Sequence, residues 1–373
     1  MSTATPKQFV FLSWKDIKHP QAGGAEIVHQ ELSTRLVKNG HTVIHLVPGY
    51  PDCPAEEAID GIRIIRIGHS VLNFYQLPFY YHKYLRTTTD YLLDVFCCFG
   101  SFAALFGSRV KTFLFIHHIQ GRIWFLQTTP PFVFPLNYVG WLLEKIQLWL
   151  LALFFKGEII TISNSTKNEI ESYGFRQKIN LISEGVHLKP LKSLPAQESK
   201  YPNFTVLFVG RLNKMKQPLE AVKAFSIFNK ECPDSQMLVA GYGSEMTEIK
   251  EFIKANKLEE SITMLGRVDD KTKLELLQKS HVLLVTSIKE GWGLVVTEAN
   301  STGTPCLTYN APGLRDSNQE GLVTTNNSPE QLAVLISKIH NSPTMYAEIR
   351  EKSFEHAKGI TFDQSFKDLK ELL

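Results

Sequence analysis

The chain has 373 residues, which at about 150 residues per domain corresponds to two or three domains. With 43% hydrophobic and 21% charged residues it can bury a full core in each, which excludes a disordered chain, a disulfide-stapled miniprotein and a polytopic membrane protein. Forty Lys and Arg against 37 Asp and Glu leave a net charge of +3, too weak for a nucleic-acid binder that works through charge alone.

From the N-terminus, MSTATPKQFVFLSW holds too short an apolar run for a signal peptide. The cysteines, Cys53, Cys97, Cys98, Cys232 and Cys306, are odd in number and include no C-x-x-C. They suggest neither a disulfide framework nor a zinc site, and a reducing compartment fits. A cytoplasmic protein is the expectation.

FVFLS (9–13) reads as a buried strand, and Gly23 and Gly24 follow it in HPQAGGAEIVHQEL. The glycine pair is a reduced phosphate loop without the full G-x-G-x-x-G. A helix over 25–39 carries Ile27, Leu32, Leu36 and Val37 on one face and stops at Gly40. Further strands are TVIHLV (42–47), IRIIRI (62–67), LLDVFCCF (92–99), KTFLFIH (111–117) and EIITIS (158–163). His117 and His118 end the fourth of these at a cleft edge, as site residues or as a solvent-facing or capping pair.

Residues 123–143 carry no charge, close to the length of a membrane span, but Pro130, Pro131 and Pro135 interrupt them. Beyond Glu144 and Lys145, IQLWLLALFF (146–155) is too short to span. Two readings fit: a buried helix packed on a sheet, or an aromatic surface resting in a membrane interface through Trp124, Trp141 and Trp149. Arg109, Lys111, Arg122, Lys145 and Lys156 lie nearby in sequence and favour anionic lipid on the second reading.

The stretch 187–204, rich in Pro, Lys and Ser, is a linker by composition. The rhythm then restarts with TVLFVG (205–210), QMLVAG (236–241), ITMLG (262–266), HVLLVT (281–286) and TPCLTY (304–309). Strands alternating with helices mean parallel sheets with right-handed crossovers. The fold class is therefore α/β: two doubly wound domains, 1–190 and 191–358, with ligands beyond the carboxyl ends of the strands and a site in the cleft between facing sheets. Residues 359–373 form a last helix with Phe362, Phe366, Leu369 and Leu373 on one face, expected to cross back onto the first domain.

Three pieces can carry chemistry. In GRLNKMKQP, Arg211 and Lys216 follow a strand end, where cations and a helix N-terminus can meet phosphate; two solvated surface charges are the plain alternative. In EGWGLVVTEANSTGTP, Gly291 and Gly293 flank Trp292, so backbone N–H groups can approach an anion. Glu290 and Glu298, eight apart, can grip hydroxyls, act as acid and base, or line a solvated helix face. There is no D-x-D, the usual carboxylate handle for a metal–nucleotide complex, so no metal is expected.

In this order, SWKDIKHPQAGGAE, GRLNKMK, EGWGLVVTEANSTGTP and APGLRDS resemble glycosyltransferase family 4 over essentially the whole chain. These are retaining, nucleotide-sugar-dependent enzymes of GT-B fold with an E-x7-E signature. The resemblance implies a hexosyltransferase without a cofactor; the aromatic and basic stretch between Trp124 and Phe155 adds the expectation of a lipid-linked or cell-surface glycan as acceptor. Catalytic roles fall to Glu290, His117, Arg211 and Lys216: the two cations bind the donor diphosphate, Glu290 the donor sugar, and His117 lies beside the reacting sugar. Gly291, Trp292, Gly293 and Leu294 hold sugar and phosphate, Glu298 takes the ribose hydroxyls, and Arg267 and Val268 contact the base. Gly23 and Gly24 give the acceptor-side loop room, and His118 is the alternative to His117. Gln217, where the family usually has glycine, and EGVH (184–187), in place of N-G-V-D, are departures. A nucleotide-sugar epimerase of GT-B-like fold would reuse the donor site, and a non-catalytic membrane partner subunit would not need it; labelled-donor assays with and without acceptor separate these.

Overall fold

The computed structural model describes residues 5–97, 99–106, 110–126, 135–186, 188 and 191–373. Cys98, Arg109, Pro130, Pro131 and His187, on which parts of the sequence reading fall, lie outside them. The chain divides into two compact units, Met1–Glu184 with Phe362–Leu373, and Gly185–Thr361.

Unit 1 is built on eight strands: β1 (Gln8–Leu12), β2 (Thr42–Pro48), β3 (Glu56–Ile59), β4 (Ile62–Ile67), β5 (Tyr91–Cys97), β6 (Lys111–His118), β7 (Glu158–Thr161) and β8 (Ile179–Leu181). Their order is β3-β4-β2-β1-β5-β6-β7-β8, and only β3 runs antiparallel to its neighbour. Central strands covered on both faces must be apolar throughout, and Phe9 to Leu12 and Phe113 to Ile116 are buried without a break. Helices α1 (Gly24–Lys38), α2 (Leu77–Tyr80), α3 (Leu136–Phe154) and α4 (Asn164–Ser172) lie on the connections. On α1 the buried face is Val28, His29, Leu32, Ser33 and Leu36, rotated from the one predicted, since Ile27 and Val37 are only half-buried.

Unit 2 carries β9 (Thr205–Val209), β10 (Gln236–Ala240), β11 (Ile262–Gly266), β12 (Val282–Val285), β13 (Cys306–Thr308) and β14 (Leu322–Val323). The order is β11-β10-β9-β12-β13-β14, all parallel. Its helices are α5 (Pro218–Asn229), α6 (Met246–Ala255), α7 (Asp270–Lys279), α8 (Leu294–Ser301), α9 (Leu314–Ser317), α10 (Pro329–His340) and α11 (Pro343–Lys358). The unit begins at Gly185 rather than residue 191, because Val186 and Leu188 already pack into its core with Leu207, Leu283 and Val296.

The last helix, α12 (Phe362–Leu372), belongs to unit 1. Phe362, Phe366 and Leu369 are buried, Arg35 of α1 pairs with Asp363 at 2.9 Å, and Asp368 accepts from the Ser183 N–H and hydroxyl at 3.1 and 2.8 Å. The Tyr91 hydroxyl donates to the Leu373 carbonyl at 2.7 Å.

The last part of the uncharged stretch, 136–143, and the run after it up to Phe154 prove to share one helix, α3, 19 residues long, which starts after Pro135 and passes straight through Glu144 and Lys145. Neither reading of it holds entire. Trp124 is buried, with its ring over Gly140, so it cannot sit at a headgroup, whereas Trp149 is 58% exposed. Lys111 donates to the Leu372 carbonyl at the amino end of β6. Among the described residues no helix is long and apolar enough to cross a membrane.

Candidate active site

In unit 2 the singled-out residues stand beyond the carboxyl ends of the strands. Arg211 follows β9, Arg267 follows β11, Glu290 follows β12, and Gly313 follows β13. This is where open parallel sheets bind ligands, because the strand ends fan out and the next helices point their N-termini inward.

The loop after β9 is held by its own backbone: the Lys216 N–H donates to Asn213 Oδ1 at 3.1 Å, and Gln217 takes a left-handed conformation (φ +47°) before Pro218 opens α5. That φ accounts for the glycine usual in the family, since a side chain costs about 1 kcal/mol there. The Thr286 hydroxyl stands 2.8 Å from the Lys216 and Gln217 carbonyls, and the Ile288 N–H donates to Met215 at 2.9 Å. These contacts lay the β12 loop along the β9 loop.

The result brings Lys216 and Glu290 together as an ion pair, with side chains 21% and 11% exposed. The Ser287 hydroxyl donates to the same Glu290 oxygen at 2.6 Å. Glu290 therefore stays fixed beside a cation while still reaching solvent. Gly293 (φ +94°) turns the chain into α8, and Gly313 (φ +79°) lies so close that a Cβ would stand 2.3 Å from the Glu290 carbonyl oxygen. Any side chain at 313 would push the EGWG loop off its seat. Trp292 Nε1 donates to Thr297 at 2.8 Å, tying the loop to the helix it precedes.

Glu298, on α8, is buried and accepts from Lys273 Nζ of α7 at 2.9 Å. Its charge is compensated, which makes a buried carboxylate tenable. Arg267 is exposed, its guanidinium 5.6 Å from the Tyr242 ring centroid, and Val268 is half-buried.

In unit 1, Gly23 precedes α1 and its N–H donates to Glu26 Oε2 at 2.6 Å, while Gly24 is exposed. His117 is not at a solvent edge. It is buried, stacked on Phe115 at 4.6 Å, with Nε2 2.8 Å from His29 Nε2. Burial, reinforced by His118, pushes its pKa down to about 3, and burial likewise holds His29 well below the usual histidine range. Both rings are neutral at physiological pH, so one donates to the other. His118 is half-buried.

Sequence reasoning missed Lys273, Ser287 and His29. The first two have no motif of their own. His29 shares a helical stripe with Leu32 and Leu36, a spacing that marks it as inward-facing. Among the described residues no group of three or more His, Cys, Asp or Glu is placed to hold a metal.

Two parallel α/β units, the second with a cation–carboxylate pair past its strand ends, define the class as GT-B. Residues 22–189 match the model "Glycosyltransferase Family 4", and residues 193–356 match "Glycosyl transferases group 1". The chain belongs to the family 4-like glycosyltransferases of GT-B fold. It is 25% identical over 339 residues to an uncharacterised glycosyltransferase of Haemophilus influenzae, covering 89% of this chain and 91% of that one. It is 33% identical over 157 residues to the Escherichia coli UDP-Gal:alpha-D-GlcNAc-diphosphoundecaprenol alpha-1,3-galactosyltransferase, covering 38% of this chain and 39% of the other. The Anabaena protein HepE, in complex with UDP and glucose, shares the fold at a TM-score of 0.73 and 17% identity, with 98% of this chain and 99% of that one covered.

Proposed function

We propose that the protein is a retaining hexosyltransferase that uses a nucleoside-diphosphate sugar, without metal or cofactor, and glycosylates a lipid-linked or cell-surface glycan at the cytoplasmic face of a membrane. The observation that supports this reading most is the Lys216–Glu290 pair set by Ser287 at the mouth of the α8 N-terminus. Departure of a nucleoside diphosphate builds negative charge on its phosphates. Fixed cations, backbone N–H groups and a helix dipole stabilise that charge without a metal.

In this reading Arg211 and Lys216 take the diphosphate, and the amides from Gly291 to Leu294 take phosphate and sugar oxygens. Glu290 accepts from a donor hydroxyl, and its contacts with Lys216 and Ser287 keep it oriented for that task. Glu298, compensated by Lys273, accepts from the ribose hydroxyls, and Arg267 and Val268 border the base. His117 is neutral and anchored by His29, which suits a hydrogen bond to a sugar hydroxyl rather than a charge contact; His118 is the alternative. Gly23 and Gly24 leave room on the acceptor side. In this reading the acceptor oxygen bonds to the anomeric carbon on the face the phosphate leaves, the departing phosphate takes the acceptor's proton, and configuration is retained.

The test incubates the protein with labelled nucleoside-diphosphate hexoses, with and without lipid-linked and soluble glycan acceptors, and reads the product's anomeric configuration by NMR. Acceptor-dependent transfer with retention is expected. Inversion refutes the mechanism, and epimerised donor without transfer refutes the activity.

A further inference from the structure

Helix α3 is inside out. Its buried stripe is Asn137, Gly140, Glu144, Gln147, Leu148 and Leu151, half of it polar. Its outward face includes Leu136, Leu142, Ile146, Trp149, Leu153 and Phe154, each between 44% and 61% exposed. The inward polar groups have work there. Glu144 accepts from the Gln120 and Gly121 N–H groups at 2.8 Å and from Trp124 Nε1 at 3.0 Å, and Gln147 exchanges hydrogen bonds with the Gly100 backbone at 3.2 and 2.6 Å. A helix that spends its polar side on the protein leaves its apolar side to something else. A contiguous patch on the order of several hundred Å² marks an interaction site.

Charge says what kind. Between residues 121 and 157 the charged side chains are Arg122, Glu144, Lys145 and Lys156. Glu144 is wholly buried and the three cations are exposed, so the surface here carries positive charge only. Lys145 lies 4.0 Å from the Trp141 ring centroid, an ammonium held over an aromatic at the margin of the patch.

A second segment repeats the pattern. Leu72, Tyr75, Phe79 and Tyr84 are exposed in the β4–β5 connection, where Lys83 is exposed and no acid occurs from residue 61 to 89. The β4–β5 and β6–β7 crossovers advance in the same direction along the sheet, and the β1–β2 crossover that carries α1 runs the other way. Right-handed crossovers then put both segments on one face of unit 1, opposite α1. The Trp14 ring stacks on Phe74 at 4.2 Å, and Phe99 reaches from Trp14 to Trp124, linking the two segments through a shared aromatic layer.

We infer that this face of unit 1 docks on a bilayer rich in anionic lipid, with α3 lying in the interface. Apolar insertion and attraction of Arg122, Lys145 and Lys156 to headgroups add on such a surface. A second copy of the same face would bring those cations against one another, which favours lipid over self-association. The inference builds on the lipid-linked acceptor proposed above, since docking places the site where such an acceptor lives, but it is tested without donor or acceptor.

The experiment floats the full chain with vesicles of phosphatidylcholine alone and with 30% phosphatidylglycerol. The wild type is expected to rise with the anionic vesicles at low salt, and the double variant Leu142→Glu/Trp149→Glu to lose at least about tenfold in bound fraction while keeping its melting temperature. Lys145→Glu, exposed on α3, serves as a second variant and should weaken binding to the anionic vesicles alone. Wild type left at the bottom of the gradient, equal flotation of the double variant, or a wild-type dimer that the double variant dissolves would overturn the inference. Transfer to a detergent-dispersed lipid acceptor separates the two ideas: flotation without such transfer supports the surface and sinks the acceptor reading, and transfer without flotation does the reverse.

Discussion

Glu144→Ala is expected to be among the most damaging single changes in unit 1. The carboxylate is wholly buried and receives three N–H donors, two from the backbone that follows β6 and one from Trp124. Hydrogen bonds to a charged group contribute about 1.5–3 kcal/mol each, and removing one side of a buried charged network costs about 3–5 kcal/mol once the remaining groups relax. Alanine also leaves a void beneath the Trp124 ring. A loss of about 4 kcal/mol is a third or more of the stability of most domains, about 5–15 kcal/mol. In a domain of about 150–250 residues, the size class of unit 1, each kcal/mol moves Tm by about 2–4 °C, so a fall of about 10 °C is expected. Tryptophan fluorescence is the right probe, because Trp14, Trp124, Trp141 and Trp149 all lie in unit 1 and only Trp292 in unit 2. Glu144→Gln should fall between the two, since it keeps one acceptor but turns an amide donor toward other donors. Melting of Glu144→Ala within about 2 °C of wild type would show that the three bonds do not hold the loop and that the reasoning is wrong.

Four further outcomes are expected. Lys216→Ala and Glu290→Ala should each lower transfer by at least about a hundredfold in steady-state assays, as for loss of a transition-state charge contact, with folding unchanged by circular dichroism. Transfer should continue in EDTA, and strict dependence on added magnesium or manganese would contradict stabilisation by Arg211, Lys216 and amides alone. Gln217→Gly should leave the melting temperature of unit 2 nearly unchanged, relief of the left-handed strain offsetting chain entropy, whereas β-branched Gln217→Val should lower it. Acid should destabilise unit 1: burial depresses His117 to about 3 and His45 to about 4, so below the unfolded value near 6.5 the unfolded chain binds more protons. The stability these rings contribute is complete above pH 6.5 and is lost as pH falls toward 4, at up to about 1.4 kcal/mol per pH unit for each; urea titrations at pH 7.5 and 5, followed by tryptophan emission, should show the midpoint falling.

The parallel sheets were legible because strands buried on both faces must be apolar from end to end, and FVFL, FLFI and VLLV stand out against any background. The short strands β3, β8 and β14 were not, being two to four residues long. In β3, EEAI sits at an edge where Glu56 faces solvent and Glu57 turns in only to pair with Arg66 and Lys18, so no apolar signal exists to find. Helix α3 misled for the opposite reason. Periodicity assumes that polar residues face out, and here Glu144 and Gln147 face in, so the charges that seemed to divide two apolar runs lie inside one helix. At the site, the loops of GRLNKMK and EGWG could be read because local turn chemistry writes them into consecutive residues. The partners that fix the site could not, since Lys273 meets Glu298 across 25 positions and His29 meets His117 across 88. Such pairs are chosen by the crossovers and leave no local trace.

The place of α12 has a consequence for how the chain is made. Unit 2 is continuous in sequence, so every residue it needs is synthesised, and later emerges from the ribosome, ahead of α12. Unit 1, although it begins first, lacks the partners of Tyr91 and Ser183, and the second carboxylate that meets Arg35 besides Glu31, until residues 362–373 arrive. The usual N-terminal-first order of domain completion is thereby reversed. During synthesis the unit that waits unfinished is the one with the exposed apolar helix, so it is the half of the molecule most in need of a chaperone or an early membrane contact.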